Sequence, residues 1–327
     1  MKKLTLFLFL SFLSACPPPA TGPHAGKTNI DPEACGVIDG SQLGRKVHAF
    51  LVASAELDRT SYSLEVALLD SCRRMAVELQ ISPLGDAKTL CNRVSKEIEE
   101  SFNVSVSTEE RLVTRTEPPI CTTKVDYAAD LAAQCEATPL LEINAWCDGH
   151  CSGVCGGTCE GGCSVVGPNG QCAGDCDGVC KGGCNGACEG SARVDASAEC
   201  RASAEIRADV RTECTEPKVA VVKENITVID ASRFDRATRA IDVGMASILS
   251  LGAKAGVVSE GITHWFKTAG QLGRSSADFF SALGDQSVCA IGQLGAALGA
   301  ASQIEARVSV SIEVSASLSA SAGASSR

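Results

Sequence analysis

Two periodicities share the chain. Between residues 36 and 102 apolar side chains recur every three or four positions. Leu43, Val47, Phe50, Leu51 and Leu57 form one stripe with the small Ser54 inside it, Leu64, Leu68, Cys72, Met75 and Leu79 a second, and Leu90, Val94 and Ile98 a third after Asp86. That spacing places each stripe on one face of a helix, with Met and aromatic members as core fillers. From residue 121 a period of two takes over. Odd positions read Cys121, Val125, Tyr127, Ala129, Leu131, Ala133, Cys135, Leu141, Ile143 and Ala145 up to Cys147; even positions from Ala192 read Val194, Ala196, Ala198, Cys200, Ala202, Ala204, Ile206, Ala208, Val210 and Thr212 to Cys214. Sustained alternation with polar residues between is the period of a half-buried strand.

Between these arms runs a Cys-x-Gly-x repeat, with cysteines at 147, 151, 155, 159 and 163 and again at 172, 176, 180, 184 and 188. A glycine every fourth residue costs a helix about 1 kcal/mol each, so the repeat is read as strand. The arms mirror each other about Val166-Gly167-Pro168-Asn169-Gly170, the strongest turn signal in the chain. In an antiparallel hairpin, facing residues have numbers with a constant sum. A sum of 335 matches Cys121 with Cys214, Cys135 with Cys200, Cys147 with Cys188, Cys151 with Cys184, Cys155 with Cys180, Cys159 with Cys176 and Cys163 with Cys172, and also Pro118 with Pro217. Directly facing residues lie within disulfide range, so one register closes a ladder. Straight arms would reach on the order of 140 Å. Three rivals stand beside this reading: a helical hairpin in the Ala-, Glu- and Arg-rich outer arms, bridges closed locally between neighbouring cysteines, and a metal-storage role for the repeat.

Beyond the hairpin, Val219 to Ile229 reads as strand and residues 231–302 as helix, through Ile241, Met245, Ile248 and Leu249 to Phe279, Phe280 and Leu283. Gln286 to Ile304 is uncharged, and Gly295 and Gly299 have the spacing of close helix contact, which is expected against the other helices. Alternation returns at Ile304, Ala306, Val308, Val310, Ile312, Val314, Ala316, Leu318 and Ala320, and briefly at Asn103 to Ser107, so a C-terminal strand is expected to widen the base of the hairpin.

Composition sharpens this into an exported protein. The 327 residues hold 19 cysteines and 4% aromatics, with 39 acidic against 29 basic side chains. The acidic balance argues against nucleic acid as a partner, because neutralising phosphates needs a basic face. Met1-Lys2-Lys3, the apolar run Leu4 to Leu13 and the closing Leu13-Ser14-Ala15-Cys16 form a signal segment too short to span a bilayer. Leu-Ser-Ala-Cys resembles the lipobox of bacterial lipoproteins. The resemblance implies cleavage by signal peptidase II before Cys16, diacylglycerol and acyl modification of that cysteine, and anchoring to a membrane; Pro17 is compatible with the outer membrane of a Gram-negative cell. The Cys-x-Gly-x run likewise resembles cysteine-rich lipoproteins of such bacteria, a group without an assigned activity. Cleavage takes the formal charge from −10 to −12. In an oxidising compartment the other eighteen thiols are expected to pair. Cys35, Cys72, Cys91 and Cys289 supply the last two bridges, with three connectivities open.

The expected fold is α+β, a helical body plus a long antiparallel hairpin or sheet stapled by disulfides. Its parts are a signal peptide (1–15), the lipidated cysteine and an extended tether rich in Pro and Gly (16–34), a helical region ending in a strand (35–117), the Cys/Gly hairpin (118–217), a strand and helical region (218–302) and an alternating strand and tail (303–327). His24, His48, His150 and His264 are scattered, and no metalloprotease, nucleophile-elbow or phosphate-loop motif is present. No residue is assigned to catalysis or a metal, and no cofactor is expected beyond the acyl groups. A structural or surface-interaction role is expected, with an envelope partner unspecified; a metal- or thiol-binding module is the alternative. An enzyme would need a pocket gathering Asp or Glu with His48 or His264.

Overall fold

The computed structural model describes residues 29–105, 112–223, 228–273, 281 and 283–323. The signal segment, Cys16, the tether to residue 28, His24, Ser107 and the Phe279-Phe280 pair lie outside the described residues. Within them the fold is α+β, with six α-helices and antiparallel sheets.

The body is built on four helices: α1 (Gln42–Glu78), α2 (Ala87–Ser105), α5 (Ala231–Gly273) and α6 (Ser287–Gly323). The first two apolar stripes belong to one helix, α1, which Ser41 starts by accepting the Gly44 amide at 3.0 Å. Asp86 caps α2 in the same way, its carboxylate taking the Thr89 amide and hydroxyl, each at 2.9 Å. These bonds hold the Asp86 carboxyl below its ordinary pKa. The core has two centres. Val47, Phe50, Leu51 and Leu57 of α1 pack with the C-terminal half of α5 and the N-terminal half of α6, whereas Leu68, Cys72 and Met75 pack with α2, the start of α5 and the end of α6. α5 therefore runs antiparallel to α1, and α6 parallel to it. Trp265 is fully buried and stacked on Phe50 at 5.7 Å, with its indole N–H donating to the Ser54 hydroxyl at 3.0 Å. Ser54 thus interrupts an apolar stripe to satisfy the one polar atom of a core tryptophan. Cys72–Cys91 ties α2 to α1, and Cys35–Cys289 ties the N-terminal segment to α6.

The alternating segment is not a strand from 303 to 323, where it continues α6 to Gly323; residues 324–327 lie outside the described residues. Ile304, Val308, Ser311, Val314, Leu318 and Ala322 are buried at three- and four-residue intervals. Arg307, read as the polar side of a strand, lies inside the bundle and pairs with Asp58 of α1 at 2.8 Å. A second expectation also fails on α6. Its packed side is Ala290, Leu294, Ala297, Ala301 and Ile304, whereas Gly295 and Gly299 face outward, with none of the described residues near the place a Cβ would take.

The base of the hairpin follows the mirror. β1 (Leu112–Thr116) pairs with β7 (Val219–Lys223), and β2 (Cys121–Lys124) with β6 (Glu213–Cys214), all at the sum of 335. Past Lys124 the outer arms leave the strand reading. They form two helices, α3 (Val125–Glu136) and α4 (Ala198–Val210), stapled by Cys135–Cys200. Their small faces, Val125, Ala128 and Ala132 on α3 and Ala204 and Ala208 on α4, cover the inner cysteines. α4 also inserts Ile206 and Val210 into the first core centre, seating the hairpin on the bundle.

Candidate functional site

The Cys/Gly repeat forms β3 (Ala145–Glu160), β4 (Cys172–Asp175) and β5 (Val179–Val194), joined by a turn in which Gly170 adopts a φ of 76° and Gly167 donates to the Gln171 carbonyl at 2.8 Å. Its bridges join Cys147 to Cys188, Cys151 to Cys184, Cys155 to Cys180, Cys159 to Cys176 and Cys163 to Cys172. The strand register is a different one. Directly paired residues add to 339, so that Cys151 faces Cys188, Cys155 faces Cys184 and Cys159 faces Cys180. The expectation that each bridge joins directly facing residues therefore fails inside the repeat, although it holds for Cys121–Cys214 at the base.

The offset forces a shape. Four residues along a strand span roughly 13 Å, yet the bridged Cα atoms are 5.5 to 5.9 Å apart. A flat ribbon cannot bring them together, so the ribbon coils. Gly149 pairs with Gly190 along one edge and with Cys180 along the other, and Val154 likewise pairs with Asn185 and Asp175. In each case the two partners are ten residues apart on the returning strand. β3 thus meets the same strand on both edges, one turn later, and the wall closes into a narrow tube. Two strand spacings per turn give an advance of about 10 Å for every ten residues of each arm, a third of their extended length. The long straight hairpin is replaced by a short, thick one.

This geometry explains the repeat. Cysteines point inward and are buried from Cys147 to Cys155 and from Cys172 to Cys188, so sulfur fills the space where side-chain carbon would form a core. Gly149, Gly153 and Gly157 on one arm and Gly178, Gly182 and Gly186 on the other share that inner face. A Cβ on Gly153 would lie 2.3 Å from the Asn185 carbonyl oxygen, and one on Gly178 1.9 Å from that of Glu160, closer than any side chain tolerates. The intervening residues face solvent: Ser152, Thr158, Glu160, Asp175, Lys181 and Asn185 make the outside polar, with Glu160 and Lys181 paired across it.

Two places on the coil gather other chemistry. Second-edge partners occur at residues 149–150 and 154–157 but not at 151–153, and there the wall opens into a cavity of about 620 Å³ lined by His150, Ser152, Gly162, Ser164, Asp175 and Asp177. His150 is half-buried, with Nδ1 3.2 Å from the Gly178 carbonyl, rather than free in solvent. At the root of the coil, Arg193 at the end of β5 meets Glu205 and Asp209 of α4 and Glu260 of α5. Arg193 lies 3.8 Å from both Glu205 and Glu260, and His264 Nδ1 is 3.2 Å from Glu205. Glu205 also accepts the Val194 amide at 3.2 Å. Asp209 is fully buried, and neither carboxyl oxygen has a hydrogen-bond partner. Burial pushes its pKa well above the ordinary 3.8; Arg193 opposes this, and Glu205 and Glu260 add to it.

Sequence reading missed this cluster because it placed Glu205 and Asp209 on the outer side of a strand. Their four-residue spacing puts them on one face of α4 once that segment is a helix. His48, by contrast, pairs with Glu33 at 3.3 Å near the surface. All eighteen cysteines from Cys35 to Cys289 are bridged, and no group of three His, Cys, Asp or Glu side chains among the described residues is placed to share a metal ion. No family model, no curated protein and no solved structure matches the chain.

Proposed function

We propose that the chain is an envelope lipoprotein, tied to a membrane through Cys16, that presents the sulfur-filled coil as a rigid contact element for another envelope or surface component. The role is structural rather than catalytic. The observation that carries this reading is the coil itself: a polar-walled projection held by five internal bridges and rooted on a helical bundle through α3, α4 and the base strands. Cross-links at every turn remove the local unfolding that exposes a thin hairpin to proteases. Nine disulfides also suit an oxidising, exported location. Anchoring rests on Leu13-Ser14-Ala15-Cys16.

The test is expression of the full chain in a Gram-negative host fed labelled palmitate. The expected result is label on the mature chain, lost in Cys16→Ser and on inhibition of signal peptidase II, with the labelled protein in the outer-membrane fraction. A soluble chain cut elsewhere, or unlabelled, overturns the anchor. The alternative, metal or thiol binding by the repeat, requires reduced cysteines; a thiol and metal count on the same purified protein separates the two.

A further inference from the structure

The outward side of α6 is unusual for this protein. From Val288 to Ser302, about 22 Å of helix, it presents Val288, Ile291, Gly292, Gly295, Leu298, Gly299 and Ser302, with Asp285 before it and Glu305 after it. Val288 is 79% exposed, Ile291 47% and Leu298 38%. Among the described residues, nothing lies within 4 Å of where a Cβ on Gly292, Gly295 or Gly299 would sit. Glycines on an exposed helix face cost stability relative to alanine and add no contact within the chain. An uncharged strip of this length on a chain of formal charge −10 is the face that an anionic or apolar surface repels least.

The chain's own N-terminus leads to the same end of α6. Cys35 is bridged to Cys289, the Asp31 amide donates to the Gln293 side chain at 2.9 Å, and the Gln286 side chain donates to the Val37 carbonyl at 3.1 Å. Val37, whose carbonyl takes that bond, is 81% exposed at this end of α6. Only twelve residues separate Cys16 from Asn29. They reach roughly 45 Å if fully extended and about 20 Å as a flexible coil. A lipid on Cys16 therefore keeps the bilayer within reach of this strip at high effective concentration, so that even weak apolar contact is populated.

We propose that the neutral face of α6 from Val288 to Leu298 rests on the bilayer to which Cys16 ties the chain, with the three glycines letting the helix lie close to the headgroups. This rests on the lipoprotein reading above. The bundle then has a fixed attitude on the membrane.

The test uses the full lipidated chain in phosphatidylcholine vesicles containing a phospholipid with a headgroup-level diazirine. After photolysis, adducts are mapped by mass spectrometry, and the N-terminal peptide is weighed in the same digest. The expected result is an acylated Cys16 peptide with adducts concentrated between Val288 and Leu298, reduced at least fivefold in Ile291→Glu/Leu298→Glu. Recovery of all nine bridges in that variant shows that it folds. An acylated Cys16 with adducts only near the N-terminus overturns the docking face while leaving the anchor intact. No lipid adducts on α6, together with dimers formed by a bifunctional cross-linker added to the same vesicles, overturns it in favour of a second copy. An unmodified Cys16 removes the lipoprotein reading, and this inference with it.

Discussion

Removing a single rung tests whether the bridges cross the strand register, as the coil requires. Cys155 and Cys180 are bridged and completely buried, but Cys155 is directly paired with Cys184. In the coil, Cys155→Ala/Cys180→Ala deletes one bridge cleanly, whereas Cys155→Ala/Cys184→Ala strands Cys151 and Cys180. The cost of the clean deletion follows from nesting. Taken alone, the bridge closes a separation of 25 residues, worth about 3.5 kcal/mol by chain entropy. With Cys151–Cys184 and Cys159–Cys176 intact on either side, it closes only about eight residues, roughly four per arm, worth about 2.5 kcal/mol. Loss of two buried sulfurs adds roughly 1 to 2 kcal/mol for the space left behind. The expected loss is therefore about 4 kcal/mol in the local opening of residues 152–158, read by native-state amide exchange, with no thiols under denaturing alkylation. The mismatched variant is expected to show two thiols. If the thiol counts reverse, the rungs follow the strand register, and the argument for a coil is wrong.

Other expectations test the packing around it. Gly153→Ala meets the Asn185 carbonyl, whereas Gly156→Ala finds its nearest neighbour at an ordinary 3.7 Å; the first is expected to lose about 1 to 3 kcal/mol more, measured by urea melts and oxidative refolding yield. Arg307→Met leaves Asp58 buried without its 2.8 Å partner and is expected to cost about 3 to 5 kcal/mol, most of it recovered in Arg307→Met/Asp58→Leu. Asp209→Asn removes a carboxyl whose pKa is raised on folding. The penalty of charging it is absent below the unfolded value near 3.8 and grows as pH rises toward the folded value. The variant should therefore gain stability over the parent as pH rises above about 4 in urea melts; a constant difference contradicts the burial argument. Asp86→Ala is expected to cost about 1 kcal/mol through loss of the α2 cap, read by thermal melting.

Connectivity was legible in the sequence because cysteine positions alone define the mirror, and the turn at Gly167 to Gly170 marks its centre. The strand register was not legible. A flat ladder and a coil offset by four residues place the same cysteines in reach of the same partners, and only the close approach at Gly153 and Gly178 separates them. The alternation in α3, α4 and α6 misled for a related reason. A helical step of four is also an even step, so Cys200, Ala204 and Ala208, or Ile304, Val308, Val314 and Leu318, satisfy both periods. The deciding residues are the odd ones. Ser203, Glu205, Arg307 and Ser311 are buried, and their small or charged side chains read as solvent-facing. Helix α1 was clearer because Leu, Val and Phe there occur at odd and even positions alike. The junction cluster stayed hidden because it needs three elements, β5, α4 and α5, to meet.

The most direct measurement is the set of interstrand proton contacts of Gly149 in the oxidised protein by nuclear magnetic resonance. A coiled ribbon gives contacts from Gly149 to both Gly190 and Cys180, on opposite edges of β3. Contact with Gly186 alone, the partner a flat ladder of the same bridges assigns to it, would contradict the coil.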